Sequence, residues 1–304
     1  MSRPLLTVLA LITACVTACS GTSGTPGSSG EIVVTTNILG DVVRNIVGDS
    51  ANVRVLMQPN ADPHSFGVSA QDAAAMGSAG LIVYNGLGLE ENVTRNVESA
   101  SALGVPTLAV GDHIDPIEFT EGESSGTSDP HFWTDPQRMV TAVDVIEETI
   151  VRDVAGIDGD AIARNAENYR AQLRELDEAM IQGFAALPPE RRKLVTNHHV
   201  LGYLARRFDF EVIGAVVPSG TTLAAPSASD LQSLVGAIQS ARVPAIFVDS
   251  SQPQKLARVL AQDAGIQVDI VSLYSESLSP PGTPADTYLG MMRANTDAII
   301  TGLR

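Results

Sequence analysis

Residues 158–189 read DGDAIARNAENYRAQLRELDEAMIQGFAALPP, and the apolar positions in this run set the architecture. Ile162, Ala166, Tyr169, Leu173, Leu176, Met180 and Phe184 recur at spacings of four, three, four, three, four and four. That is one face of a single helix kept up for about six turns. Asp158 or Asp160 can cap its start, and Pro188-Pro189 ends it. A helix of this length can act as a spine between two bodies, and the chain on either side of it has the same rhythm.

Before the spine, β-rich stretches at 31–37, 53–57, 81–84 and 107–110 alternate with helical patterns at 38–47, 69–76 and 90–100. After it, strands at 193–196, 211–217, 245–249 and 267–273 alternate with helices at 200–208, 227–241 and 253–264, and a last helix runs over 284–303. Alternation of this kind builds parallel α/β sheets. The expected fold is α/β: two lobes with parallel sheets flanked by helices, joined by one long rigid backbone helix. The lobes are assigned to 31–156 and 189–304 and the linking helix to 157–188. Residues 118–128, Glu-Phe-Thr-Glu-Gly-Glu-Ser-Ser-Gly-Thr-Ser, interrupt the pattern and read as a mobile acidic loop. A helix at 136–154 follows them.

The 304 residues carry a formal charge of −16, which excludes nucleic acid and a polybasic membrane surface as partners. Arg3 and the apolar run at 5–16 form a signal peptide over 1–18, too short to span a bilayer. The run closes on Val16-Thr17-Ala18-Cys19, a lipobox-like site at which Cys19 becomes the lipidated first residue. Cys15 is the weaker alternative. Residues 19–30 form a flexible, lipid-anchored tether rich in Gly, Ser and Thr. The expected product is an exported monomer, lipid-anchored to the outer face of the cell membrane. With both cysteines in this segment, the mature chain has no disulfide and no thiolate ligand.

Five histidines are present, and two share a tripeptide: Asp62-Pro63-His64 and Asp129-Pro130-His131. A further pair sits in Asn197-His198-His199, directly after a strand, and one member of that pair faces the site. In open parallel sheets, ligands bind outside the carboxyl ends of the strands. His64, His198 and Glu276 follow predicted strands, and His131 precedes a helix. Three imidazoles and a carboxylate make a four-coordinate N/O site suited to Zn²⁺. Neutral imidazoles would bind the ion, so affinity is expected to fall below about pH 6.5 as histidine protonates. A zinc hydrolase with three histidines and a water is the rival reading. No Gly-x-Ser-x-Gly elbow, His-Glu-x-x-His helix or Gly-rich phosphate loop is present.

These residues resemble the metal-specific (zinc/manganese) solute-binding lipoproteins of bacterial ABC importers. The likeness covers nearly all of the mature chain. It is carried by Asp62-Pro63-His64, by Tyr84-Asn85-Gly86-Leu87-Gly88-Leu89-Glu90 and by Asp129-Pro130-His131-Phe132-Trp133-Thr134-Asp135-Pro136. His198 with Gly202-Tyr203, and Asp286-Thr287-Tyr288 with Met291-Met292 and Asn295, complete it. The resemblance implies one metal between two lobes, an ABC permease as partner and no enzymatic activity. It implies His64, His131 and His198 as ligands, His198 because it stands five residues before Tyr203. It implies a fourth ligand at Glu276, where the family usually has Asp, with Asp249 in reserve. An imidazole at position 198 resembles the zinc branch; Mn²⁺ or Fe²⁺ is the alternative cargo. The chain departs from the family in having Gly67 after Phe66, Asp249-Ser250-Ser251 at the end of the 245–249 strand, and no histidine run before His131.

Overall fold

The computed structural model describes residues 30–263 and 268–304. The signal peptide at 1–18, Cys19 and the tether up to residue 29 lie outside the described residues.

The first sheet holds β1 (Ile32–Val34), β2 (Val53–Val55), β3 (Leu81–Tyr84) and β4 (Thr107–Ala109), all parallel, in the order β2-β1-β3-β4. The second holds β5 (Lys193–Thr196), β6 (Glu211–Ala215), β7 (Ala245–Asp249) and β8 (Asp269–Leu273), again parallel, in the order β6-β5-β7-β8. The two sheets therefore share one topology. Parallel neighbours need crossover connections, and helices supply them. These are α1 (Asn37–Val47), α2 (Ala70–Met76) and α3 (Thr94–Ala102) in the first lobe. In the second they are α6 (Gly202–Phe208), α7 (Ala228–Ala241) and α8 (Lys255–Asp263).

Between the lobes run α4 (Pro136–Asp153) and the spine α5 (Gly159–Ala185), and α9 (Tyr288–Leu303) closes the chain. Asp158 caps α5 by accepting from the Ala161 amide, and all seven periodic residues of the spine are buried. They belong to one continuous core formed by α1, α4, α5, α6 and α9 and the inner faces of both sheets. A fully buried Leu or Phe contributes about 1.5–3 kcal/mol, so this face alone fixes the spine against both lobes. The outer face of each sheet has its own smaller core, under α2 and α3 in one lobe and under α7 and α8 in the other. Asp177 is the buried polar member of the spine, accepting from Arg207 of α6 and Gln137 of α4. No helix among the described residues is long and apolar enough to cross a membrane.

Two local readings change. Residues 118–128 are not a loose loop. An antiparallel bridge pairs Glu118 with Ser128, and the Phe119 amide donates to the Thr127 carbonyl. Across the lobe boundary, the Glu123 amide donates to the Pro218 carbonyl, and the Ser124 hydroxyl accepts from the Gly220 amide at 2.9 Å. The helix expected at 90–100 begins at Thr94, because Glu90 is taken up by the turn before it. Its buried carboxylate accepts from the Asn85 and Gly86 amides and the Thr35 hydroxyl. Gly86 and Gly88 make that turn possible with φ of +78° and +81°.

Candidate metal centre

The four side chains expected at the site come from four different loops. His64 lies in the loop after β2, and His131 stands after the 118–128 hairpin, just before α4. His198 follows β5, and Glu276 follows β8. Each Asp-Pro-His tripeptide folds as an Asx turn. The His64 amide donates to Asp62 Oδ1 at 3.0 Å, and the His131 amide to Asp129 Oδ1 at 2.9 Å. The repeat is thus a device for turning a histidine inward.

One donor atom from each of His64, His131, His198 and Glu276 lies within 4.8 Å of the others, and all four residues are buried. Nε2 of His131 is 3.4 Å from Nε2 of His64. Glu276 Oε1 is 3.2 Å from His198 Nε2 and 3.5 Å from His131 Nε2, and Oε2 is 3.7 Å from His64 Nε2. His198 Nε2 and both Glu276 oxygens have no hydrogen-bond partner. Buried polar atoms without partners are costly, so a ring of them pointed at one spot is a site built for a cation.

Burial sets the charge state. It pushes His64 and His198 down to about 4 and His131 well below its ordinary value. It pushes the Glu276 carboxyl well above the ordinary carboxylate range. Burial thus favours neutral imidazoles, with lone pairs free to donate, and an uncharged carboxyl.

Supporting groups hold the donors. Asp129 Oδ1 lies 2.7 Å from His131 Nδ1, which leaves Nε2 facing the cluster. The Asn197 amide lies 3.0 Å from His198 Nδ1. Asp62 reaches across the boundary, accepting from the Thr222 hydroxyl at 2.6 Å and Gln252 Nε2 at 3.1 Å. Trp133 donates to the Ser275 carbonyl at 2.8 Å, so the single Trp ties the first lobe to the loop carrying Glu276. Phe119 packs edge-on to His131 at 6.2 Å, and its ring lies so close over Gly220 that a Cβ there would overlap it.

His199 stands apart from the cluster. It lines a neighbouring cavity of about 570 Å³ with Glu118, Glu121 and Arg206. Asp249 does not join the donors either. Its oxygens are occupied by Ser251, Ser275 and the Glu276 amide. The supporting roles of Asp129, Asn197 and Trp133 were not read from sequence. For Asp129 the signal was the tripeptide itself, whose first residue is as much part of the device as its last.

The family profile described as "Zinc-uptake complex component A periplasmic" (ZnuA) matches residues 32–302. The chain belongs to this family. Zinc-binding protein TroA of Treponema pallidum is 33% identical over 278 residues, covering 90% of this chain and 88% of TroA. Manganese-binding lipoprotein MntA of Halalkalibacterium halodurans is 30% identical over 298 residues, covering 97% and 96%. Iron-binding protein YfeA of Yersinia pestis is 29% identical over 273 residues, covering 90% and 86%. The solved structure of periplasmic zinc-binding TroA matches with a TM-score of 0.83 at 32% identity, over 90% of this chain and 98% of that one. Membership in the ZnuA family makes this chain a metal-binding receptor of an ABC importer, a partner of a permease and not an enzyme.

Proposed function

We propose that the chain captures one Zn²⁺ between its lobes on His64, His131, His198 and Glu276 and delivers it to the permease for import. Lipid at Cys19 would hold it to the outer face of the cell membrane. The observation that carries this reading is the convergence of three imidazole nitrogens and one carboxylate within 4.8 Å of one another, with four of the contacts at 3.2–3.7 Å. A tetrahedron with bonds of about 2.0–2.1 Å has edges of about 3.3–3.4 Å. The donor set, nitrogen-rich and without sulfur, suits zinc. A catalytic zinc would keep its fourth position open, and a carboxylate beside the three imidazoles supports a filled one.

Manganese or iron is the second reading, favoured by one feature. Both Glu276 oxygens face the imidazoles, so a bidentate carboxylate would give five donors to a metal of higher coordination number. Metal analysis of the purified mature chain, with Zn²⁺, Mn²⁺ and Fe²⁺ in competition, separates the two. The zinc reading expects one zinc per chain, retained against a hundredfold excess of Mn²⁺, roughly as the order of divalent affinities requires. His198→Ala should cost at least about 100-fold in zinc affinity. An unchanged affinity in that variant would remove His198 from the site.

A further inference from the structure

The loop carrying Glu276 is held from below by a residue that has no place in the donor set. Asp249, at the end of β7, is fully buried. Its Oδ2 accepts from the Ser275 amide at 3.0 Å, the Ser275 hydroxyl at 2.7 Å and the Glu276 amide at 3.0 Å. Its Oδ1 accepts from the Ser251 amide at 2.7 Å and from the Ser251 hydroxyl. The carboxylate is thus saturated by backbone and hydroxyl donors, and it clamps the main chain of the residue whose side chain points at the imidazoles. Trp133 and Asn37 grip the same loop from the first lobe, at the Ser275 carbonyl and at Ser277 and Leu278. Asp249 grips it from the second lobe, to which β8 and the loop belong.

We infer that Asp249 is a positioning residue for metal capture: it sets how far the Glu276 carboxylate reaches, so that the two side chains form one arm of fixed length from β7 to the ion. The arm runs through two side chains in series, with the 275–276 backbone between them. Lengthening the lower segment by one methylene moves that backbone toward the imidazoles by up to one C–C bond, about 1.5 Å. Shortening the upper segment by one methylene withdraws the carboxylate by the same amount. Either change alone misplaces the donor, and both together restore the span. When the lobes part, the same clamp keeps Glu276 with the second lobe, so opening divides the donors into His64 with His131 and His198 with Glu276.

This inference rests on Glu276 being a metal ligand, so the experiment tests that first. Zinc affinity is measured by chelator competition on the mature chain and on Glu276→Gln, Asp249→Glu, Glu276→Asp and the double variant Asp249→Glu/Glu276→Asp, with thermal unfolding as a folding check. Glu276→Gln should weaken binding on the order of 100-fold; no loss there overturns the ligand assignment and not the clamp geometry. Each single length change should cost about 10–100-fold, the range for groups that orient a ligand. The double variant should recover most of that loss. Additive losses in the double variant, or an Asp249→Glu protein that binds as the parent does, overturn the inference. If the variants lengthened at 249 do not fold, the isosteric Asp249→Asn replaces them, since its amide can no longer accept at both oxygens. It should lose about tenfold in affinity, and an unchanged affinity overturns the inference in the same way.

Discussion

At the residue scale, the site is governed by what burial does to ionisable groups. An exposed histidine would protonate near its ordinary 6.5, and sequence alone places the loss of metal there. Burial moves His64 and His198 to about 4, so the imidazoles stay neutral well below that pH. The raised group is Glu276, where burial favours the protonated form, so a cation bound there would displace that proton. Burial also pushes the Asp129 carboxyl, beside His131, up to about 7, which makes it the candidate source of a second proton. The sign follows: affinity rises with pH while these carboxyls are protonated in the free state, by about tenfold per pH unit for each proton displaced. Calorimetry at pH 6 in buffers of different ionisation enthalpy should find one to two protons released per zinc. Zero protons would mean that Glu276 is already ionised before the metal arrives. The donors themselves were legible because the Asp-Pro-His repeat and the Asn-His-His pair stand out among so few histidines. The choice of His198 over His199 came from the resemblance, through its place five residues before Tyr203, and not from the local pattern, in which adjacent side chains simply point apart.

At the scale of elements, the spine and the hairpin carry opposite lessons. The spine was readable because its period is local and its buried face is continuous. What the period did not reveal is how closely its neighbours approach. A Cβ added at Gly183 would lie 3.0 Å from Ile300 and 3.4 Å from Thr296, so α5 and α9 touch there through a bare backbone. Gly183→Leu should therefore cost about 1–3 kcal/mol by overpacking, seen as a lower urea midpoint, while zinc affinity changes little. A midpoint equal to the parent's would show that the helices are free to separate. The hairpin at 118–128 misled because its composition is that of a mobile loop. Its order comes from outside it: Ser124 meets Ser219 and Gly220, and Phe119 seats on Gly220 beside His131. Phe119→Ala should leave the fold intact and speed zinc release to a chelator several-fold, since the ring covers the second histidine. Stopped-flow release at the parent's rate would show that the ring gives no cover.

At the scale of the whole molecule, two sheets of the same strand order present the carboxyl ends of their strands to one shared site. Bonds across that boundary include Asp62 to Thr222 and Gln252, Glu91 to Thr221, and Asn37 at the start of α1 to Ser277. An ion that joins donors of both lobes would bind the folded form and not the unfolded chain, and so would stabilise it by mass action. At free zinc a hundredfold above the dissociation constant the gain is about 2.7 kcal/mol, on the order of 5 °C or more in melting temperature for a chain of this size. A zinc titration followed by thermal unfolding checks this, and Glu276→Gln should lose most of the shift. A shift of equal size in that variant would place zinc elsewhere on the chain.

The sequence by itself determined the α/β rhythm, the spine and the two Asp-Pro-His turns, because periodicity, capping and Asx turns are written in residues close along the chain. The tertiary structure alone decided that the 118–128 hairpin is latched to the second lobe, that His199 stands aside, and that Asp249 supports Glu276 instead of joining it. Those outcomes depend on contacts between residues tens to hundreds of positions apart. They also depend on desolvation, which exists only in the folded structure, where the site is buried.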